Sequence, residues 1–417
     1  SLCVLPRRKT STLLDKHLSR PPAPRVMLAH QHLYPPRQLE GKAGVLAFIR
    51  HVNAIQFDPI NLVGRNPDLV LQARVKDYRP QMLHELLYED RQLVDGWDKM
   101  ASIYPAEDRH YFARHRAWMQ ARYGANETVT QVAPHILAEI DKRGALCSLD
   151  FKDNAKTDWA WGPTKVSRAG LEGLYEMGQL GVHHRVNNRR YFDRIENLLP
   201  ADLLSAPDPN ETDPAYQEWH ILRRMASLGL VQLNAGEHWL GILGVKSVER
   251  KKIINSLVQR GEVISVAIDE LPNEVFYLRA CDLDLLDSAK ESAQPEAAFL
   301  PPLDNLLWNR KKNGKLFNFE YIWEVYKPKI KRQYGYYILP VIYGDKFIAR
   351  FDPAYDKKTG HFTLQNWWWE KDVLPDPQME KALKRAMEDF LRYLGASRFS
   401  LGELLIDDSS LRWASQI

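Results

Sequence analysis

The stretch Val182-His183-His184-Arg185-Val186-Asn187-Asn188-Arg189-Arg190-Tyr191-Phe192-Asp193 places two β-prone arms around an Asn-Asn pair. That is the composition of a tight hairpin turn. Apolar spacing upstream predicts a helix over 132–143, ended by Gly144, and a second helical region around Asp150. A third helix is predicted over 165–177, with Leu171, Leu174 and Met177 inward and Gly178 as its stop. Three helices followed by a basic hairpin are the layout of a winged helix.

The layout recurs downstream. Helices are predicted over 214–228 and 248–260, the latter stopped by Gly261. Arms at 263–268 and 275–279 flank a turn at Leu271-Pro272-Asn273. This hairpin carries Asp269, Glu270 and Glu274, so it is not expected to touch phosphate. Nearer the N-terminus, helices are expected over 25–33, 44–54 and 78–93, the last with Met82, Leu83, Leu86, Leu87 and Leu93 on its apolar face. The final stretch reads as strands over 336–341, 346–351 and 361–368 with a turn at Gly344-Asp345. An amphipathic helix over 379–394 should cover that sheet with Leu383, Met387, Phe390 and Leu394. Trp367, Trp368 and Trp369 are read as core and cover. The expected fold class is mostly α with β-hairpin wings: tandem winged-helix domains plus a C-terminal α+β domain. The expected division is a basic arm at 1–24, a winged-helix-like domain at 25–126, winged helices at 127–205 and 206–282, a linker at 283–298 and the α+β domain at 299–417.

The chain has 417 residues, 45% hydrophobic and 26% charged, ordinary for a soluble globular protein with several cores. No apolar run reaches the length of a membrane span and no signal-peptide pattern opens the sequence. Three widely spaced cysteines argue against a disulfide framework and fit a reducing cytosol. The net charge of +4 permits nucleic-acid binding without demanding it.

The chemistry concentrates in Ile55-Gln56-Phe57-Asp58-Pro59-Ile60-Asn61. On an extended or tightly turned backbone Gln56 and Asp58 point to one side while Phe57 anchors in the core. Asp58 can stabilise a developing cation, and Gln56 can hold a water. The plainer reading is an Asp capping a helix that begins with Pro. His183-His184 lacks further ligands at metal spacing, and Gly236 to Gly241 has Ile242 where a phosphate loop needs lysine, so no metal or cofactor is expected.

Several ordered blocks resemble the AlkZ/YcaQ-type winged-helix DNA glycosylases, bacterial enzymes that repair alkylated and crosslinked DNA. The Gln56-Phe57-Asp58 motif is followed by Arg65-Asn66-Pro67 and Leu69 to Arg74. Leu28 to Leu33, Trp159-Ala160-Trp161-Gly162-Pro163, Leu171-Glu172-Gly173-Leu174, Pro301 to Arg310 and Lys331 to Tyr337 follow in matching order. The resemblance implies Gln56 and Asp58 as catalytic residues acting on N7-alkylated purines, with interstrand crosslinks as a further substrate. It implies double-stranded DNA as partner, a monomer, and a cytoplasmic, nucleoid-associated location. Lys165, Arg168, Arg185, Arg189 and Arg190 are then candidate phosphate contacts around the hairpin, and Lys331 and Arg332 a second set among Tyr334, Tyr336 and Tyr337. Arg65 and Arg74 read either as phosphate contacts or as structural ion pairs with Asp58 or Asp68. One departure stands out: Trp97-Asp98-Lys99-Met100-Ala101 has Lys99 where the family pattern has His, making Lys99 a possible modulator. A winged-helix regulator without catalysis, or a protein binding a small molecule in the same cleft, remains an alternative.

Overall fold

The computed structural model describes residues 16–18, 22–159, 162–269, 271–289 and 293–417. Most of the expected N-terminal arm, Ala160 and Trp161 of the tryptophan motif, Glu270 of the acidic hairpin and part of the expected linker lie outside the described residues. The architecture is mixed α/β. No helix among the described residues is long and apolar enough to cross a membrane.

The chain forms two compact units. One comprises the described residues up to Leu83, Trp97–Ser102 and His220–Ile417; the other comprises His84–Gly96 and Ile103–Trp219. This differs from the contiguous division expected: 84–96, 103–126 and 206–219 belong to the second unit. The reason is where their apolar side chains go. Tyr88 packs on the Val129–Leu174 core, and Val94 on Ala106, Leu198 and Leu199.

In the first unit, a five-stranded sheet runs in the order Ala297–Phe299, Leu339–Tyr343, Lys346–Asp356, His361–Trp369, Arg398–Leu401. Neighbours are antiparallel except the last pair, which is parallel. A parallel pair needs a crossover, supplied by helix Pro377–Leu394. Asp376 caps that helix by accepting the Met379 N–H, and Gly395 at φ +69° ends it. Phe390 from its buried face meets Phe299, Phe351 and Phe362, with ring centroids 5.5, 6.4 and 6.0 Å away. A second sheet pairs Lys16–Leu18 in parallel with Val263–Ile268, which pairs antiparallel with Val275–Arg279. Helix Ser247–Gln259 packs against it through Ile254 and Leu257.

The second unit contains helices Ala113–Gly124, Glu127–Arg143 and Val166–Glu176, then the hairpin Leu180–Val186/Arg189–Arg194. A Cβ added to Gly170 would lie 2.5 Å from Ile136 and Val132, so glycine is what lets these two helices touch. The helix expected around Asp150 is absent. Asp150 instead accepts the Cys147 N–H at 2.7 Å, and Asp153 accepts from the N–H and hydroxyl of Ser167 at 2.8 and 2.7 Å. Short polar side chains there capture backbone donors that a helix would use. The helix expected over 78–93 also stops early, as Pro80–Tyr88. Arg91 turns to φ +56°, and Leu93–Trp97 continues as a strand.

Arg74 requires a correction. Its side chain is fully buried, and its guanidinium makes two 2.8 Å bonds to the equally buried Asp304. It also donates to the carbonyls of Gln31 and Val70 at 2.8 and 2.9 Å. With its donors committed inside the protein, Arg74 cannot be a phosphate contact. It joins the end of helix Asn66–Gln72 to the segment Pro301 to Arg310. Removing one partner strands the other charge, a loss of ~3–5 kcal/mol. Arg74→Ala should therefore lower the thermal midpoint sharply, and Arg74→Lys should not restore it, because an ammonium cannot reproduce the two-toothed pairing. Thermal melts check this; a wild-type midpoint for Arg74→Ala would contradict the role assigned.

Candidate functional site

The Gln56–Asp58 turn is held from four directions within the first unit. Asn305 donates to the Ala54 carbonyl at 2.9 Å, and Asn66 to the Gln56 carbonyl at 2.7 Å. The Phe57 N–H reaches the Ala101 carbonyl at 2.8 Å, and Arg223 the Asn53 carbonyl at 2.7 Å. Asn66 also accepts the Leu303 N–H at 3.2 Å. The motif and the segment Pro301 to Arg310, distant in sequence, are thus one hydrogen-bonded object.

Asp98 organises the floor. Its carboxylate is buried against Arg223 (2.6 Å), Arg224 (2.8 Å) and His220 (3.2 Å). These three sit at i, i+3 and i+4 on helix Asp213–Leu228, the spacing that places side chains on one face. Burial alone would raise the Asp98 pKa. The charge of Arg223, the His220 hydrogen bond and Arg224 outweigh it and hold the carboxyl well below its usual range. Gly241, at φ +86°, brings its backbone so close to the Asp98 carbonyl that a Cβ would lie 1.9 Å from it. The glycine-spaced loop from Gly236 to Gly241 therefore serves packing.

Lys99 follows from this. Its ammonium is buried, donates to the Gln56 side-chain oxygen at 3.1 Å and lies 5.1 Å from the centre of the Trp308 ring. Burial is the main cause that lowers its pKa to about 7; Arg224 and Arg310 add repulsion, while Glu237 and Asp98 oppose the shift. As the ammonium, Lys99 has only donors, and in that form it faces the Gln56 oxygen, leaving the amide nitrogen for other partners. Lys99 thus pairs with Gln56 and, among the described residues, makes no ion pair with Asp58.

Asp58 is half-buried. One carboxylate oxygen accepts the Ile60 N–H at 2.9 Å, closing a local turn; no helix begins at Pro59, so Asp58 is not the helix cap of the plainer reading. Burial raises its pKa, partly offset by that bond. Burial raises the pKa of the Tyr337 hydroxyl, and the Asp58 charge adds to that, which sets Tyr337 in the neighbourhood of Asp58. Arg65 is half-buried and helps hold down the Asp68 carboxyl, which burial raises and the Tyr78 hydroxyl also lowers at 2.8 Å. Asp352, beside Gly335, is a further carboxyl pushed up by burial, to about 6.

The hairpin of the second unit divides the expected contacts. Arg185 is corrected: it is mostly buried and grips Asp95 with two bonds of 2.6 and 2.9 Å. Tyr88 and Tyr175 bond the same aspartate at 3.1 and 2.8 Å. Arg190 is also corrected: it pairs with Glu172 at 3.3 Å and lies against the rings of Tyr175 and Phe192. Glu172 further holds Arg168 and the Trp159 indole N–H. Arg189 and Arg168 remain exposed, and Lys165 half so. In the first unit Lys331 is exposed, whereas Arg332 donates to the Lys327 carbonyl at 2.9 Å and covers the Tyr336 ring.

Asp98, His220, Arg223 and Arg224 were not singled out from sequence. The one available signal was the His-x-x-Arg-Arg spacing on an amphipathic helix. Asn66 and Asn305 lay inside recognised blocks, but their partners, Leu303 for Asn66 and Ala54 for Asn305, lie 237 and 251 residues away.

The family model for DNA glycosylase AlkZ-like proteins matches residues 49–393. The Streptomyces sahachiroi DNA glycosylase AlkZ has a similar structure: TM-score 0.60 at 13% sequence identity, covering 92% of this chain and 99% of that one.

Two buried lysines of the first unit, Lys99 and Lys312, give a pH signature. Lys312 is fully buried, donates to the Leu230 carbonyl at 2.8 Å, and is lowered by burial to about 7, like Lys99. Unfolded, both titrate near ~10.4. Between those values the unfolded chain binds more protons, so their contribution to stability rises with pH across that window and is flat below it. Urea melts from pH 7 to 10 should show this rise flattened in Lys99→Met and again in Lys312→Met. A pH dependence unchanged from wild type in both would place the lysines in a solvated setting.

Proposed function

The chain belongs to the AlkZ-like DNA glycosylase family, and from that premise we propose that it is a monofunctional glycosylase of N7-alkylated purines, able also to unhook interstrand crosslinks. The observation that carries this reading is the Gln56–Asp58 turn: a half-buried carboxylate, not neutralised by the adjacent lysine, beside an amide whose orientation that lysine fixes.

The chemistry suits so sparse a site. An N7-alkylguanine is already cationic, so it departs as a neutral base without a general acid. Positive charge develops at the sugar, as in glycoside hydrolysis. Asp58 would stabilise that charge and orient the attacking water, losing effectiveness on acidification sooner than an ordinary carboxylate because its pKa is raised. Gln56, its oxygen taken by Lys99, would position sugar or water through the amide nitrogen. Lys99 acts as a modulator, its charge opposing the one developing on the substrate. Tandem winged helices would carry the duplex, with Arg189, Arg168, Lys165 and Lys331 on the backbone and Arg65 near the lesion. A crosslinked base cannot be fully flipped out, so an open cleft suits it better than a closed pocket.

Asp58→Asn keeps the size of the side chain and removes its charge. It should cut excision of N7-methylguanine from a duplex by at least ~100-fold, the scale for one positioned charge, while DNA affinity stays near wild type. Alkaline cleavage of the abasic product measures this. Excision at the wild-type rate would remove Asp58 from the mechanism, and no excision by wild-type protein would leave a DNA-binding regulator as the better reading. Lys99→His should raise the single-turnover rate at saturating enzyme; an unchanged or lower rate would end the modulator role. For binding, Arg189→Ala should shrink the slope of log affinity against log salt by ~1, the yield of one phosphate contact. An unchanged slope would turn the hairpin tip away from DNA.

A further inference from the structure

The segment between Tyr321 and Tyr337 presents an apolar side chain on a rigid, basic loop. The buried carboxylate of Glu324 accepts the N–H groups of Gln333 (2.9 Å) and Tyr334 (2.9 Å) and the ammonium of Lys327 (2.8 Å). Arg332 closes the same loop by donating to the Lys327 carbonyl at 2.9 Å. Both ends of 327–333 are therefore tied to one charged group. These bonds hold the Glu324 carboxyl down at about 2 despite its burial, so the clamp persists across ordinary pH.

At the tip of this clamped loop, the 3-10 turn Lys329–Lys331 follows Pro328. Ile330 at its centre is 93% exposed, and Tyr326 beside the loop is 87% exposed. The ammonium groups of Lys329 and Lys331 are exposed and, among the described residues, have no hydrogen-bond or ion-pair partner. A single exposed aliphatic residue needs no explanation by itself. Here, however, it stands between two unneutralised cations on a backbone that a buried carboxylate makes stiff. The protein's own fold gains nothing from that arrangement. A polyanion with apolar layers at base-pair spacing does complement it: phosphates for the lysines and a base step for the isoleucine.

We propose that Ile330 is a wedge that enters a groove of duplex DNA and partly unstacks one base step, with Lys329 and Lys331 on the flanking phosphates. Apolar side chains used this way kink the duplex at the point of entry. The wedge rests on the reading above only in that this chain binds duplex DNA; it requires no excision. Its use would be to open the stack where a damaged nucleotide must move toward a site, without relying on full extrusion.

The test uses the whole chain and undamaged duplexes one binding site long, each carrying 2-aminopurine at a different position. Its fluorescence rises when the base unstacks. Saturating wild-type protein should raise the signal several-fold at one or two adjacent positions and little elsewhere. Ile330→Ser should abolish the rise while affinity stays within ~3-fold, since phosphate contacts dominate affinity. Ile330→Phe should retain it. Lys329→Ala and Lys331→Ala should each reduce the salt slope by ~1. The proposal is overturned if no position brightens with wild-type protein, or if Ile330→Ser brightens the duplex as wild type does. It is likewise overturned if sedimentation shows that Ile330 joins two copies of the chain. Because excision on N7-methylguanine duplex is measured separately, failure of the wedge and failure of the glycosylase reading give different results.

Discussion

The buried carboxylate of Asp98 is the constraint on which the first unit depends. Three cationic or hydrogen-bonding groups of one helix, His220, Arg223 and Arg224, converge on it within 3.2 Å. A charge so placed is costly unless every partner is present, and each partner is equally costly without it. The cluster therefore ties the segment Trp97–Ser102 to that helix. Arg223 extends the same constraint to the Asn53 carbonyl, immediately before the Gln56 strand. Position at the candidate site is set by electrostatics from below as much as by packing.

Lys99, adjacent to Asp98 in sequence, is the consequence of that placement. It cannot leave without moving the ion cluster, so its ammonium stays at the Gln56 oxygen and over Trp308. A histidine there would offer one acceptor and one donor, and the amide could turn either way. A charged lysine offers only donors, which settles the amide as long as the ammonium keeps its proton. The cost is a charge in an apolar, already cationic setting, expressed as a pKa near about 7. Orientation of Gln56 and attenuation of the site are thus two effects of one side chain.

Local structure was legible where one element determines itself. The hairpin around Asn187-Asn188 and the helix ended by Gly395 follow from turn residues and apolar period, and both stand within a few residues of where sequence placed them. The Gln56–Asp58 motif was legible through the ordered blocks around it, since its spacing alone favoured a capping Asp; Phe57, expected to anchor in the core, is only half-buried. What sequence could not supply was the partner of each charge. Arg74 and Arg185 look like any exposed arginine until Asp304 and Asp95 are brought to them by the fold. The region around Asp150 looked compatible with a helix until that side chain was found holding the Cys147 N–H. Patterns report local preference, and ion pairs 90 and 230 residues apart in sequence report topology, which no local pattern contains.

The most direct measurement is a crystal structure of the protein with a duplex carrying one 2′-fluoro-N7-methylguanosine, whose fluorine disfavours the cationic sugar and keeps the bond intact. If the Gln56–Asp58 turn is where the glycosidic bond breaks, C1′ of that nucleotide lies within ~3.5 Å of an Asp58 oxygen or of a water bound to it, the range of a near-attack geometry. A damaged nucleotide seated at another carboxyl, such as Asp352, with Asp58 remote from the sugar, would contradict it.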